Sequence, residues 1–191
     1  MINKKKLSEI RIIARQNYPF IIDLEASGFG PDSYPIEVGL ALEPDERYCR
    51  LIRPQPDWTH WSEEAGQYHQ IPRQHLFDYG MDVKTIATEL NQRLRNQTVY
   101  SDGWVVDHSW LIKLFHSAGI SMQFRFSALE MILSEAQMAI WHEVKAEVEQ
   151  ELQVARHRAS NDALIIQQTF LRTAELTAPT VSSARSGVRR I

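Results

Sequence analysis

This 191-residue chain has a single cysteine, no long apolar run and no excess of basic residues. The single cysteine, Cys49, excludes an internal disulfide and a cysteine-based metal site, and it fits a reducing compartment. No apolar run approaches the roughly 20 residues that a membrane-spanning helix needs. Lysines open the chain, but Glu9, Arg11 and Arg15 interrupt any apolar core of an export signal. We therefore expect a cytoplasmic protein with no membrane partner.

The charge balance gives the chain no strongly basic surface. Its net charge is −3, which taken alone argues mildly against nucleic-acid binding. Hydrophobic residues make up 43% of the chain and charged residues 24%, a mixture typical of a globular domain. The residues after Leu176 are small, polar and basic. We expect a single domain over residues 1–175 and a flexible basic tail over residues 176–191.

Hydrophobic patterning predicts strands first, and then strands that alternate with helices. Three strands joined by short turns, typical of an antiparallel meander, are expected within residues 18–27, 35–43 and 47–54. A helix over about Val83 to Leu94 precedes a brief strand at residues 98–101. Further helices are expected at about residues 107–118, 127–153 and 161–173. This order indicates an α/β fold with a mixed sheet.

Four acidic residues and a histidine are candidate functional residues because of where they lie in the predicted strand and helices. Asp23 and Glu25 interrupt the most apolar strand, and residues two apart on a strand point to the same face. Asp107 continues the apolar stripe at the start of its helix, and Asp162 lies in the first turn of the last helix. His157 precedes Asp162 by five residues. Taken singly, each has an ordinary explanation: a solvated strand end, a helix cap or a surface histidine.

Taken together, these residues predict one cleft lined by carboxylates. Clustered carboxylates repel one another unless cations hold them, and oxygen-rich sites suit Mg²⁺ or Mn²⁺. Two such ions about 3.5–4 Å apart can bind the attacking and leaving oxygens of a phosphoryl displacement. A histidine, with an ordinary pKa of about 6.5, can take a proton from the attacking water. This chemistry is typical of phosphodiester hydrolysis.

Three motifs, in this order, resemble those of the DEDDh 3′–5′ exonucleases, a family of the ribonuclease H-like superfamily. They read IIDLEASGFG, followed by PIEVGLAL, then SDGWVVDHSWL, and finally HRASND. The segment YHQIPRQHL resembles the family's H-x-I element. A sister group has a tyrosine four residues before the last Asp. This chain has Arg158 at that position and a histidine five residues before the Asp, so it resembles the histidine group rather than the tyrosine group. The resemblance covers roughly residues 18–173.

The resemblance implies a catalytic role for each matched residue. Asp23, Glu25 and Asp162 would hold the ion that carries the attacking water. Asp23 would also bridge to a second ion at the leaving oxygen, and Asp107 would support that ion. His157 would be the general base. Two Mg²⁺ or Mn²⁺ ions per active site are therefore expected.

The resemblance also implies a substrate-binding region and a fold. The backbone around Leu24 and Ala26 would touch the terminal nucleotide, with the Leu24 side chain as a packing wedge, and His69 would lie beside that nucleotide. The implied fold is α/β and ribonuclease H-like, with a mixed five-stranded sheet, an antiparallel meander plus parallel strands, flanked by helices.

Several positions leave two interpretations open. Many relatives have a His-Asn pair where this chain has Asp102-Gly103, so either Asp102 or Asp107 could be the catalytic acid; Asp107 is preferred because it precedes a Trp-Leu pair. The polar stretch before the third motif carries an apolar stripe, which predicts a helix packed on its own domain, with a homodimer contact as the alternative. The aromatic residues between the third strand and the helix at Val83 serve either the core or base stacking: Trp58, Trp61 and Tyr68.

We therefore expect a metal-dependent 3′–5′ exonuclease that acts on 3′ ends of single-stranded DNA or RNA and releases nucleoside 5′-monophosphates. Without the four acids the net charge of −3 becomes +1, so a metal-loaded protein would not repel phosphate. The alternatives are a catalytically silent nucleic-acid- or protein-binding module on the same fold, and a phosphoesterase acting on dinucleotides. No motif reports on the 2′-hydroxyl that distinguishes RNA from DNA.

Overall fold

The computed structural model describes residues 18–44 and 46–179. The strands in these residues are β1 (Phe20–Ala26), β2 (Pro35–Ala41), β3 (Arg47–Leu51), β4 (Thr98–Ser101) and β5 (Arg125–Ala128). The helices are α1 (Glu63–His69), α2 (Arg73–Asp78), α3 (Val83–Leu94), α4 (Trp104–Ala118), α5 (Glu135–Leu152) and α6 (Ala159–Leu176). A short 3₁₀ turn, Leu129–Ile132, connects β5 to α5.

The five strands form one mixed sheet in the order β3-β2-β1-β4-β5. The first three strands pair antiparallel as a meander, whereas β1, β4 and β5 run parallel. Helices cover both faces of this sheet. The α/β, ribonuclease H-like fold expected from the sequence is thereby confirmed, including the antiparallel meander and the parallel strands.

The central strand β1 is apolar because both of its faces are covered. Ile22 packs with residues of α3 and α4, and Ile21 packs with residues of α5 and α6. Both side chains have no solvent exposure. A strand buried on two faces reads as a continuous apolar run rather than an alternating one. Asp23 and Glu25 follow Ile21 at steps of two, so their side chains face α6.

Two predicted boundaries in the second half of the chain are wrong. Residues 125–128 form β5, and α5 begins only at Glu135, so the helix expected from residue 127 starts eight residues later. Backbone pairing with β4 holds β5 as a strand. Ser134 and Gln137 form a capping box that sets the start of α5. Helix α6 is longer than expected at both ends, and α1 and α2 were not predicted.

The apolar stripe of α5 packs on the same domain, as one of the two interpretations predicted. Val144 and Val148 are buried against Ile165 of α6, and Ile140 and Leu152 pack around them. The alternative, a homodimer contact, stays a prediction. The predicted basic tail falls mostly on residues 180–191, outside the described residues. Among the described helices, none combines the length and the apolarity that crossing a membrane requires.

Candidate metal-dependent active site

Three elements bring the predicted acids to one edge of the sheet. Parallel strands β1 and β4 end at the same edge, where ligands of open α/β sheets bind. Asp23 and Glu25 lie in the second half of β1. Asp107 lies in the first turn of α4, which begins directly after β4, and Asp162 lies in the first turn of α6. Strand and helix ends thus place all four carboxylates in one region, as the sequence predicts.

Asp23 is at the electrostatic centre of this region. Burial raises the pKa of Asp23 well above its ordinary value, and repulsion from Asp107, Glu25 and Asp162 raises it further. Asp102 adds a smaller repulsion. Asp23 is therefore close enough to every other predicted metal ligand to interact with its charge. Such a group of carboxylates is tolerated only with protons or cations bound to it.

Glu25, the second acid of β1, stands beside Asp162 at the start of α6. Burial, followed by repulsion from Asp162 and Glu37, raises the pKa of Glu25 to about 8, and the Arg158 guanidinium partly offsets this. The ligand atoms of Glu25, His157 and Asp162 all lie within 4.8 Å of one another. Two carboxylates and an imidazole at this spacing can share one divalent cation.

Asp107, rather than Asp102, is the buried acid of the second motif. Its side chain is 3% exposed, and burial raises its pKa to about 7 although a hydrogen bond from the Ser101 hydroxyl lowers it. The Leu24 backbone N–H also lowers the pKa of Asp107, though to a smaller extent than the Ser101 hydroxyl does. Asp102 instead pairs with Lys145 Nζ at 2.7 Å. This geometry favours Asp107, the residue preferred from the sequence.

Asp162 and His157 are joined by a tight turn before α6. The His157 backbone N–H donates to Asp162 Oδ2 at 2.8 Å, and Arg156 Nε donates to Asp162 Oδ1 at 2.9 Å. His157 adopts a left-handed backbone conformation with φ of +58°, which is uncommon outside glycine, although histidine adopts it more often than most residues do. The turn thereby directs the imidazole toward Glu25 and the carboxylate of Asp162.

A buried ion pair beside the site was missed by the sequence analysis. Glu37 has no solvent exposure, and it lies opposite Glu25 in the pairing of β1 with β2. The Arg158 guanidinium donates to both Glu37 oxygens, with Nε 3.1 Å from each and Nη2 2.6 Å from Oε1. The signal available in the sequence was an acid within the apolar strand PIEVGLA.

The three residues expected to bind substrate are all buried. Leu24 is 4% exposed and packs among the core residues on the face opposite the carboxylates, which argues against the wedge interpretation of its side chain. Ala26 is also buried. His69 is buried, accepts a hydrogen bond from Ile71 N–H at Nδ1, and has its pKa lowered by burial and, to a smaller extent, by nearby His157. The roles of these residues toward a nucleotide stay predictions.

An exposed aromatic pair borders His157. The ring of Tyr68, on α1, meets the His157 ring edge-on with centroids 5.6 Å apart, and the Phe29 ring meets Tyr68 at 6.4 Å. Tyr68 is 53% exposed and Phe29 is 64% exposed. Trp58, in contrast, stacks on Tyr34 in the core. Of the aromatic residues singled out in the sequence, Trp58 and Trp61 pack in or against the core and Tyr68 is exposed beside His157, whereas Phe29 was not foreseen. A base-stacking role stays a prediction.

Comparison with known proteins identifies solved structures of the same fold. No protein-family model matches the chain, and comparison with curated protein sequences gives no match. Escherichia coli exonuclease I in complex with a 5cy-dT13 oligonucleotide has a TM-score of 0.61 at 12% identity, covering 84% of this chain and 41% of that chain. Exonuclease I from Methylocaldum szegediense has a TM-score of 0.61 at 14% identity, with the same coverage.

Other solved forms of Escherichia coli exonuclease I match in the same way. A zinc-bound form and a metal-free form, both complexes with single-stranded DNA, each have a TM-score of 0.59 at 13% and 12% identity respectively. The zinc-bound form matches over 84% of this chain and 41% of its own. The chain thus spans about two fifths of the length of the exonuclease I chains. At these identities the likeness demonstrates a shared fold, that of the exonuclease I structures.

Proposed function

We propose that this protein is a metal-dependent 3′–5′ exonuclease that hydrolyses the terminal phosphodiester bond of single-stranded nucleic acid. The observation that carries the proposal is the cluster of carboxylates with raised pKa values at one sheet edge, beside His157. Repulsion within such a cluster is relieved by divalent cations, and oxygen donors are those that Mg²⁺ and Mn²⁺ prefer.

The donor set fits two cations. Asp23, Glu25 and Asp162 would hold one ion, and Asp23 with Asp107 would hold the other. When bound, the ions neutralise the cluster and stabilise charge on the attacking and leaving oxygens of the phosphoryl group. The chain itself orients these ligands, because Asp107 accepts a hydrogen bond from Ser101 and Asp162 accepts one from the His157 backbone.

In this proposal His157 receives the proton of the attacking water. Its ring nitrogen lies within 4.8 Å of carboxylate oxygens of Glu25 and Asp162, which are the proposed ligands of the ion that carries water. An imidazole in this position can accept the proton released as water attacks phosphorus. The left-handed turn at His157 holds the ring there rather than in solvent.

Single-stranded nucleic acid is the substrate class that the surface favours. Tyr68 and Phe29 offer two exposed rings next to His157, and aromatic rings stack on unpaired bases without sequence preference. Two of the Escherichia coli exonuclease I structures of the same fold are complexes with a 5cy-dT13 and a dA16 oligonucleotide. Attack of water on the terminal phosphodiester with the 3′ oxygen of the preceding nucleotide as the leaving group would release a nucleoside 5′-monophosphate and leave a new 3′-hydroxyl end.

The test is a gel assay on 5′-labelled single-stranded DNA and RNA of equal sequence, with Mg²⁺, Mn²⁺ or a chelator. We expect a metal-dependent ladder that shortens from the 3′ end. Asp23→Asn should slow it at least about 100-fold, because a direct ligand matters more than the supporting residues whose loss costs about 10–100-fold. Asp32→Asn, in an exposed loop, is the matched control and should retain the wild-type rate.

Two outcomes would contradict the proposal. Equal rates for Asp23→Asn and the wild type would place the activity elsewhere. No cleavage of either strand would favour a dinucleotide phosphoesterase or a binding module. A dinucleotide substrate in the same assay separates these two, because only the phosphoesterase would cleave it.

A further inference from the structure

Resting on the proposed function, we propose that Glu37 is a positioning residue of the active site: through Arg158 and the Ala159 backbone, it holds the turn that presents His157 and Asp162. Glu37 lies on β2, in the segment PIEVGLAL that follows the first motif, and 120 or more residues from the groups that it binds. The inference therefore concerns a tertiary contact rather than a motif.

The carboxylate of Glu37 is fully occupied by the segment that follows His157. Arg158 donates three hydrogen bonds to it, and the Ala159 backbone N–H donates to Oε2 at 2.8 Å. Ala159 is the first residue of α6, so the carboxylate binds the start of the helix as well as the residue next to His157. A planar guanidinium on a carboxylate fixes orientation as well as distance.

The remainder of the turn lies directly on the same hairpin. Gly39, two residues along β2, approaches so closely that an added β-carbon would lie 2.1 Å from the Ser160 backbone nitrogen. From β3, the Arg47 guanidinium donates to the Ser160 hydroxyl and to Asn161 Oδ1. The segment between His157 and Asp162 is thus bound along its length by β2 and β3.

His157 needs such support because of its backbone conformation. A left-handed residue that is not glycine persists only where its surroundings hold it. Arg158 follows it immediately, so the bond from Arg158 to Glu37 restrains the chain at the strained position. Arg158 also partly offsets the charge of Glu37, which lies opposite Glu25 and repels its carboxylate.

Glu37→Gln is the informative variant because it keeps the size of the side chain and leaves no buried charge. The Arg158 side chain is 43% exposed and can turn to solvent. We expect amide hydrogens of residues 157–162 to exchange at least about 10-fold faster, and kcat to fall about 10–100-fold with KM changed less than about 2-fold, as for other residues that orient a metal ligand. Arg158→Lys should have a smaller effect in both measurements, since it keeps the positive charge but loses the planar set of guanidinium donors.

Glu46→Gln is the matched control, because it removes another Glu–Arg pair, Glu46 with Arg93, at an exposed site away from the acids. It should leave both exchange and kcat unchanged. Amide exchange tests the positioning role whether or not the protein hydrolyses nucleic acid. Failure of the exonuclease proposal is recognised separately, because the wild-type protein would then show no activity. Unchanged exchange of residues 157–162 in Glu37→Gln, or a lower folding stability with kcat of the folded protein intact, would overturn the inference.

Discussion

Both acidic and basic neighbours act on the pKa of Glu25. Burial, Asp162, Glu37 and Asp107 all favour its neutral form, and Arg158 alone among its named neighbours favours the charged form. With a pKa of about 8, Glu25 holds a proton at neutral pH in the metal-free protein. A cation that binds there must displace this proton, which links metal affinity to pH.

His157 has two chemically distinct roles open to it, and a substitution separates them. As a general base, His157→Ala should lower kcat about 10²–10⁴-fold while Mn²⁺ affinity is largely preserved. The rate is measured on single-stranded oligonucleotide and the affinity by calorimetry. His116→Ala, on the exposed end of α4, is the control and should change neither.

The opposite pattern would assign His157 to the metal. If the variant loses Mn²⁺ affinity and keeps its rate per bound ion, the imidazole is a ligand rather than the base. The 4.8 Å grouping of His157 with two carboxylates permits either contact, which is why both quantities have to be measured.

At the scale of elements, the contact of β2 with the start of α6 determines where the third motif lies. Gly39→Ala places a methyl group against the Ser160 backbone, which cannot move as a side chain would. We expect a loss of about 1–3 kcal/mol in the free energy of unfolding, the usual cost of overpacking. Denaturant titration measures it.

Gly66→Ala is the control for that substitution. Gly66 lies within α1, and an added β-carbon there has no atom within 4 Å, so alanine should be neutral or stabilising through its higher helix propensity. Equal stability of Gly39→Ala and the wild type would show that α6 is not held against β2 in this way.

The elements also show how far the sequence alone predicts this fold. Strand β1 and helix α4 were predictable because their apolar patterns are strong and a glycine, Gly119, ends the helix. The second half of strand β5 was read as helix, since its four residues are ordered by pairing with β4 rather than by their own pattern. The capping pair Ser134 and Gln137 was the local signal that could have corrected this boundary.

The candidate site was predictable in part for a similar reason. Asp23, Glu25, Asp107, His157 and Asp162 stand out in three separate motifs, and the fold brings them to one sheet edge. The pair of Glu37 with Arg158 spans 121 positions, so no local pattern reports it. Phe29 and Tyr68 also form their pair only once the β1–β2 loop and α1 are in place.

At the scale of the whole molecule, we expect the carboxylate cluster to make the free energy of unfolding depend on pH and on cations. The folded-state pKa is about 8 for Glu25 and about 7 for Asp107, above their ordinary values of 4.5 and 3.8. Between these limits the folded protein holds protons that the unfolded chain has released, so the free energy of unfolding falls as pH rises. Cations that bind the charged carboxylates of the folded state oppose this loss.

The free energy of unfolding, measured by denaturant titration from pH 4.5 to pH 8.5 with Mg²⁺ or with a chelator, tests most directly whether cations complete this cluster. We expect stability with chelator to decline across this range, and Mg²⁺ to restore it most strongly above pH 8. The restoration should be much smaller in Asp23→Asn. Superimposable curves with Mg²⁺ and with chelator would contradict a metal-dependent site formed by these residues.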